Sequence, residues 1–147
     1  MTSIVIDAST AAKWQLSAEP EADRARDMLR DYAAGNIAFV APKVWHYEIA
    51  NIFNKAVGTR RITEEEGREA FTLLQALAID FLDWPSPADT YQLARTYRRS
   101  VYGSFYLAAA ESRQLAFWTG DRKLYNGVKD RLAFVRWVGD YPPPVHP

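Results

Sequence analysis

Short apolar runs alternate along the chain with longer stretches of helical period, and most of the boundaries carry residues that cap or turn the backbone. Ser3-Ile4-Val5-Ile6-Asp7 predicts a buried strand, after which a hydroxyl of Ser9 or Thr10 can cap a helix through Ala11 to about Leu16. From Glu19 to Ala34 the residues Ala22, Ala25, Met28, Leu29 and Tyr32 fall on one side of a helix that Gly35-Asn36 ends. Ile37 to Ala41 predicts the next strand, and Pro42 opens a helix at a position where proline is tolerated. Thr63-Glu64-Glu65-Glu66 has the form of a capping box starting a helix through Ala70, Phe71, Leu74 and Leu77. Ile79 to Trp84 reads as a strand, followed by helices from Ser86-Pro87 to about Arg99 and from Ser100 to about Arg113. Leu115 to Thr119 is the fourth strand, Arg122 to Asp130 a short helix and Leu132 to Val138 the last strand. Strands alternating with helices predict a parallel sheet of about five strands covered on both faces, a three-layer α/β/α domain with right-handed crossovers.

The 147 residues suit one domain over 1–141, with a proline-rich tail at 142–147 that should be extended or disordered, and contain no internal repeat. Basic and acidic residues balance at 18 each, so any binding to a phosphate backbone has to come from a local basic patch and not from overall charge. The absence of cysteine removes disulfides, zinc thiolate sites and thiol nucleophiles. Only Met1-Thr2 precede the first strand, with no secretory leader pattern and no long apolar span, so a cytoplasmic protein without membrane association is expected.

Three carboxylates carry the candidate chemistry. Asp7 and Asp121 each close an apolar run, which puts both at the carboxyl ends of strands, the rim where parallel sheets bind ligands, provided their strands are neighbours. Taken singly, either could be a helix cap, since the dipole and the free amides of a helix N-terminus favour an acid. Glu48 is different, because helical spacing aligns it with Val44 and Ile52 in an apolar stripe that has no lysine or arginine on the neighbouring turns. Acids are rarely buried unpaired, so Glu48 faces a polar cleft or a cation, with a structural ion pair as the competing reading. Gathered carboxylates repel one another and lose hydration, and a hard divalent ion such as magnesium or manganese relieves both. His46 lacks a partner histidine and reads as a surface or core side chain, and His146 lies in the tail. Trp45, Phe53, Phe71, Phe105 and Phe117 occupy apolar positions that suit core packing. Arg60-Arg61, Arg98-Arg99 and Arg122-Lys123 are either phosphate contacts or a solvated face.

The ordered set Ile4-Val5-Ile6-Asp7-Ala8-Ser9, Glu48 after Pro42, Tyr102-Gly103-Ser104-Phe105-Tyr106-Leu107-Ala108-Ala109-Ala110 and Trp118-Thr119-Gly120-Asp121-Arg122-Lys123-Leu124 resembles the PIN domain family, and within it the VapC-like toxins of toxin–antitoxin pairs. The resemblance implies a Mg2+- or Mn2+-dependent endoribonuclease, a homodimer, and inhibition by a cognate antitoxin. It implies Asp7, Glu48 and Asp121 as catalytic metal ligands, with Ser9 and Thr119 as supporting hydroxyls. Relatives usually have aspartate where this chain has Gly103. If Ser100 is the N-cap, residue 103 is the third helical position, where an acid suits the dipole and glycine costs about 1 kcal/mol relative to alanine. Ser104 is a poor substitute, since one residue rotates a helical side chain by roughly 100°. A natural variant with a weaker or single-metal site and a substitution that makes a toxic nuclease tolerable to its host both account for the glycine.

Three activities follow for testing. The first is an RNA-cleaving toxin that uses metal-activated water and leaves 5′-phosphates, with Arg98, Arg99, Arg122 and Lys123 as RNA contacts. The second is a catalytically silent domain that binds antitoxin or RNA. The third, a phosphoacceptor or phosphatase with Asp7 as nucleophile, ranks last because Ser9 stands where a second acid would be needed. No base-reading code identifies the RNA.

Overall fold

Ile4, Val5 and Ile6 leave β1 (Thr2–Ile6) no polar face, which suits a strand covered by helices on both sides. The computed structural model describes residues 1–83 and 85–144. Around β1 lie β2 (Ile37–Pro42), β3 (Ile79–Leu82), β4 (Phe117–Thr119) and β5 (Val135–Trp137), giving a five-stranded sheet ordered β3-β2-β1-β4-β5. Every pairing is parallel. The fold is therefore the expected three-layer α/β/α arrangement.

The helices are α1 (Ala8–Gln15), α2 (Ala22–Ala33), α3 (Val44–Gly58), α4 (Glu64–Gln75), α5 (Pro87–Tyr97), α6 (Val101–Arg113) and α7 (Arg122–Val128), followed by a 3-10 turn at Val138–Asp140. From β1 the chain steps outward to β2 and β3, then returns to the other side of β1 with β4 and β5. With right-handed crossovers this reversal moves the connecting helices to the opposite face. The packing agrees: α1 lies against α2 and α3, and α3 against α4, while α5 and α6 pack together and α6 crosses β1, β2 and β4. The strand order thus switches at β1 and β4, where a cleft opens at the carboxyl ends.

Local chemistry moves several boundaries. The first strand stops at Ile6, and Asp7 rather than Ser9 or Thr10 caps α1. The second helix begins at Ala22, not Glu19, because Pro20 interrupts the segment and Glu21 takes a left-handed conformation at φ 61°. Pro42 does not open a helix; it ends β2 opposite Leu82, and α3 starts at Val44. The fourth and fifth strands are shorter than their apolar runs, and α7 ends at Val128. The Thr63–Glu66 capping box forms as expected, and Gly35 ends the α2 region at φ +79°. Trp84, at the end of the expected third strand, and residues 145–147 of the tail, His146 among them, lie outside the described residues.

The core centres on β1 and β2, where Phe39 stacks with Trp14 at 5.2 Å and with Tyr32 at 4.7 Å, while Tyr106 of α6 stacks on Phe117 of β4 at 5.6 Å. Trp45, Phe53 and Phe117 are buried and Phe71 and Phe105 partly so, in keeping with a packing role. No described helix is long and apolar enough to cross a membrane.

Candidate active site

Because Ile6 pairs with Trp118, the next residues, Asp7 and Thr119, stand side by side on the carboxyl rim of neighbouring strands. Asp7 caps α1: its Oδ1 accepts from the Thr10 backbone N–H at 3.0 Å and from the Ser9 hydroxyl at 2.7 Å. Its Oδ2 accepts a short hydrogen bond from the Thr119 hydroxyl. Burial raises the Asp7 pKa above the ordinary value, and these hydrogen bonds oppose that rise without cancelling it.

Asp121 caps α7, accepting from the Leu124 N–H at 3.1 Å. Its own N–H donates to Thr119 Oγ1 at 3.0 Å. One threonine hydroxyl therefore joins both acids. The Gly120 N–H adds a second tie, donating to Ser9 Oγ at 3.1 Å. A β-carbon at residue 120 would stand 2.6 Å from Lys13 Cε and 3.2 Å from the Ser9 carbonyl oxygen, so this close approach of the β4–α7 turn to α1 needs glycine.

Glu48 reaches the same region from α3. It is half-buried, and its Oε1 is enclosed without a hydrogen-bond partner. Its pKa is pushed up to about 7, first by burial and then by the negative charges of Asp7 and Asp121, against a lowering contribution from Tyr106. Asp7 and Asp121, from two other elements, thus both act on Glu48. Tyr106 is the fourth participant: its buried hydroxyl lies near Glu48 without reaching ordinary hydrogen-bond geometry, and burial together with the charges of Glu48 and Asp7 holds its pKa well above the usual phenol value.

Among the described residues, no three Asp, Glu, His or Cys side chains stand close enough together to hold an ion as they are. The donor set nevertheless suits a hard cation, since an unpartnered buried carboxylate oxygen in the field of two more carboxylates is an arrangement a divalent ion relieves.

A cleft of about 170 Å³ lies beside Asp121, lined by Arg98, Arg99, Ser100, Gly103, Asp121, Lys123 and Leu124. Gly103 therefore shares a cavity with Asp121. Its N–H donates to Ser100 Oγ at 3.0 Å, which makes Ser100 the N-cap and residue 103 the third helical position. A β-carbon there would meet Ser100 Oγ at 3.3 Å and Leu124 Cδ1 at 3.6 Å, so a larger side chain enters if the serine hydroxyl gives slightly.

The four basic residues divide. Arg98 and Lys123 are exposed on the cleft rim, and neither side chain has an ion pair among the described residues. Arg99 is turned inward, donating to the carbonyls of Tyr97 at 3.0 Å and Lys123 at 3.1 Å against Gly127, so it fastens the α5–α6 link to α7. Arg122 lies 3.9 Å over the Trp137 ring and 3.9 Å from Glu21. Arg61 pairs with Glu19 at 2.8 Å. His46, expected as a surface or core side chain, makes a tilted ring contact with Phe81 at 4.2 Å.

Lys13 and Tyr106 were not singled out from sequence. Lys13 is 5% exposed, donates to the Pro20 carbonyl at 2.8 Å and faces Glu19 and Glu21 at 3.9 Å each. Its spacing of four residues from Ser9 on a helix is a signal that could have found it. Tyr106 lies three residues after Gly103 on α6, a comparable signal.

Fold and site together define a parallel α/β sandwich with an acidic rim at the switch point of its strand order. The chain belongs to the PIN domain family, whose model matches residues 4–129. PIN domains are generally nucleases and typically use divalent metals. In fold the chain is similar to PAE2754 from Pyrobaculum aerophilum, whose crystal structure aligns over 93% of this chain and 91% of that one at a TM-score of 0.67 and 19% identity. No curated protein matches the chain significantly in sequence.

Proposed function

We propose that the protein is a Mg2+- or Mn2+-dependent endoribonuclease of the VapC toxin type, active in the cytoplasm and neutralised by a cognate antitoxin. The observation that carries the nuclease reading is the electrostatic meeting of three acids from three elements, with Glu48 pushed up to about 7 and one of its oxygens unpartnered. Asp7, Glu48 and Asp121 are the residues that would hold the ion. When bound, a divalent ion supplies charge that neutralises these acids and a phosphate, and it acidifies a water for attack on phosphorus. The chain contributes orientation: Ser9 and Thr119 fix Asp7, and the α7 cap fixes Asp121. Arg98 and Lys123, exposed on the cleft rim, would contact the RNA backbone in this reading, with Arg99 shaping the cleft wall. The toxin role, the antitoxin and a homodimer rest on the likeness of the segments around Asp7, Gly103 and Asp121 to VapC-like toxins.

Incubation of total RNA with the protein and manganese tests the activity. Cleavage should yield 5′-phosphate ends, stop with chelator and be lost in Asp7→Asn. Cleavage that persists in chelator, or in the Asp7→Asn protein, would remove the metal-acid reading. Sedimentation tests the homodimer, and co-purification with the product of an adjacent small reading frame tests the antitoxin.

A second reading, a silent domain that binds antitoxin or RNA, is favoured by two observations: Gly103 lines the cleft where relatives usually carry an acid, and among the described residues no three acids are gathered closely. RNA binding unaffected by chelator, with no turnover in manganese, would select it.

A further inference from the structure

Tyr106 Oη and Glu48 Oε1 are both enclosed without a hydrogen-bond partner, and the two side chains lie beside each other. Tyr106 is 1% exposed and its ring stacks on Phe117 at 5.6 Å, so the packing is complete without the hydroxyl and phenylalanine would serve the core as well. A phenol buried this deeply has to replace the water it gave up. Two groups stand near it, Glu48 as an acceptor and the Ala8 N–H as a donor. Ala8 is the first residue of α1, where a helix N–H has no carbonyl partner within the helix. The same hydroxyl thus stands against an amide that needs an acceptor and a carboxylate oxygen that needs a donor.

Glu48 is the one of the three acids that lacks support. Asp7 and Asp121 each cap a helix, and each accepts a backbone N–H in doing so. Glu48 lies inside α3, and its enclosed oxygen accepts nothing. Asp7 also acts on the phenol through its charge, but both of its oxygens already accept, Oδ1 from Ser9 and Thr10 and Oδ2 from Thr119. Glu48 is therefore the acceptor left for the tyrosine. We infer that Tyr106 is the positioning residue for Glu48: its hydroxyl takes Oε1 as acceptor and so leaves Oε2 as the oxygen offered to the ion. This rests on the metal-acid reading above and adds to it the group that orients the third ligand and the number of oxygens that ligand supplies, one rather than two. The competing reading is a core tyrosine whose hydroxyl only fills space. The burial of that hydroxyl beside the acid that lacks a donor argues against it, since donors placed behind metal-binding carboxylates orient them and set affinity.

Tyr106→Phe keeps the ring and its stacking on Phe117, so it isolates the hydroxyl. Manganese affinity, measured by counting free Mn2+ through its electron paramagnetic resonance signal, should fall by about 10- to 100-fold, the usual effect of removing the hydrogen-bond partner of a metal ligand. The metal-free melting temperature should not fall, because the variant removes a buried hydroxyl that has no partner before the ion arrives. Introduced into Glu48→Gln, the same substitution should weaken binding no further; introduced into Ser9→Ala, which alters the support of Asp7 instead, it should show its full loss. Unchanged manganese affinity in Tyr106→Phe would overturn the inference. So would a loss of equal size in the Glu48→Gln background, which would assign the effect to packing, or a lowered metal-free melting temperature, which would make the hydroxyl a structural bond. Failure of the nuclease reading shows separately, as a wild-type protein that binds manganese without cleaving RNA, and leaves the comparison of variants interpretable. A wild-type protein that binds no manganese overturns both.

Discussion

Thr119 Oγ1 donates to Asp7 and accepts from the Asp121 N–H, so its hydroxyl sets the geometry of two acids at once. Thr119→Val keeps the shape but leaves a buried carboxylate oxygen and a backbone N–H without this partner. The loss should cost about 1–3 kcal/mol, seen as a lower urea midpoint, and manganese affinity should fall with it. An unchanged midpoint would mean that water replaces the hydroxyl at no cost. Asp7 and Asp121 were readable because each closes an apolar run, but the sequence could not show which hydroxyl served which acid. Ser9 plays a parallel part to Thr119, donating to Asp7 while accepting from the Gly120 N–H. Gly103 allows a second test at this scale. Gly103→Ala removes the glycine penalty and should stabilise α6 by about 1 kcal/mol without altering metal affinity. Gly103→Asp adds charge to the cleft and should tighten manganese binding by at least about tenfold, measured calorimetrically, since affinity at such sites follows the number of charged ligands. Equal affinity in the two variants would show that residue 103 does not address the ion.

Among the elements, the helices with a capping signal were the most legible, Thr63, Ser86 and Ser100 each capping the helix expected from it. Errors gathered where a tertiary contact overrides a local preference. Pro42 suits a helix start, yet it pairs with Leu82 at the end of β2; the Glu19–Glu21 segment, broken by Pro20, instead comes against Lys13. That lysine also explains how α1 and the β4–α7 turn are held in register. Its Cε fills the space beside Gly120, and the turn in turn brings the Gly120 N–H to Ser9. Gly120→Ala should force the two elements apart and destabilise the fold by about 1–3 kcal/mol, the usual cost of overpacking, with a matching loss in thermal melting temperature. A neutral result would mean that Lys13 swings clear of Gly120 without strain. Arg99 shows the same limit of sequence reading. It was indistinguishable from Arg98 along the chain, but only Arg98 keeps its charge on the rim, because Arg99 meets the carbonyls of Tyr97 and Lys123.

For the whole molecule, the acids couple stability, pH and metal in a direction that can be worked out. The Glu48 pKa rises from 4.5 to about 7 on folding, so between those values the folded state binds more protons than the unfolded state. Stability of the metal-free protein should therefore decline as pH rises from about 4.5 to about 7 and then level off. Asp7, also raised by burial, adds to the decline in the same direction above its ordinary 3.8. A divalent ion binds the ionised acids, so it opposes this trend and should bind more tightly at pH 8 than at pH 5.5. At a manganese concentration 100 times the dissociation constant, the gain is about 2.7 kcal/mol, or about 5–10 °C in melting temperature for a domain of this size. Glu48→Gln should flatten most of the metal-free pH slope, raise the metal-free melting temperature at pH 8, and lose most of the manganese-induced gain. Melting curves at both pH values, with and without manganese, separate the possibilities. A gain equal at pH 5.5 and pH 8, or one retained in Glu48→Gln, would mean that the ion sits elsewhere and that the Glu48 proton belongs to packing rather than to the site.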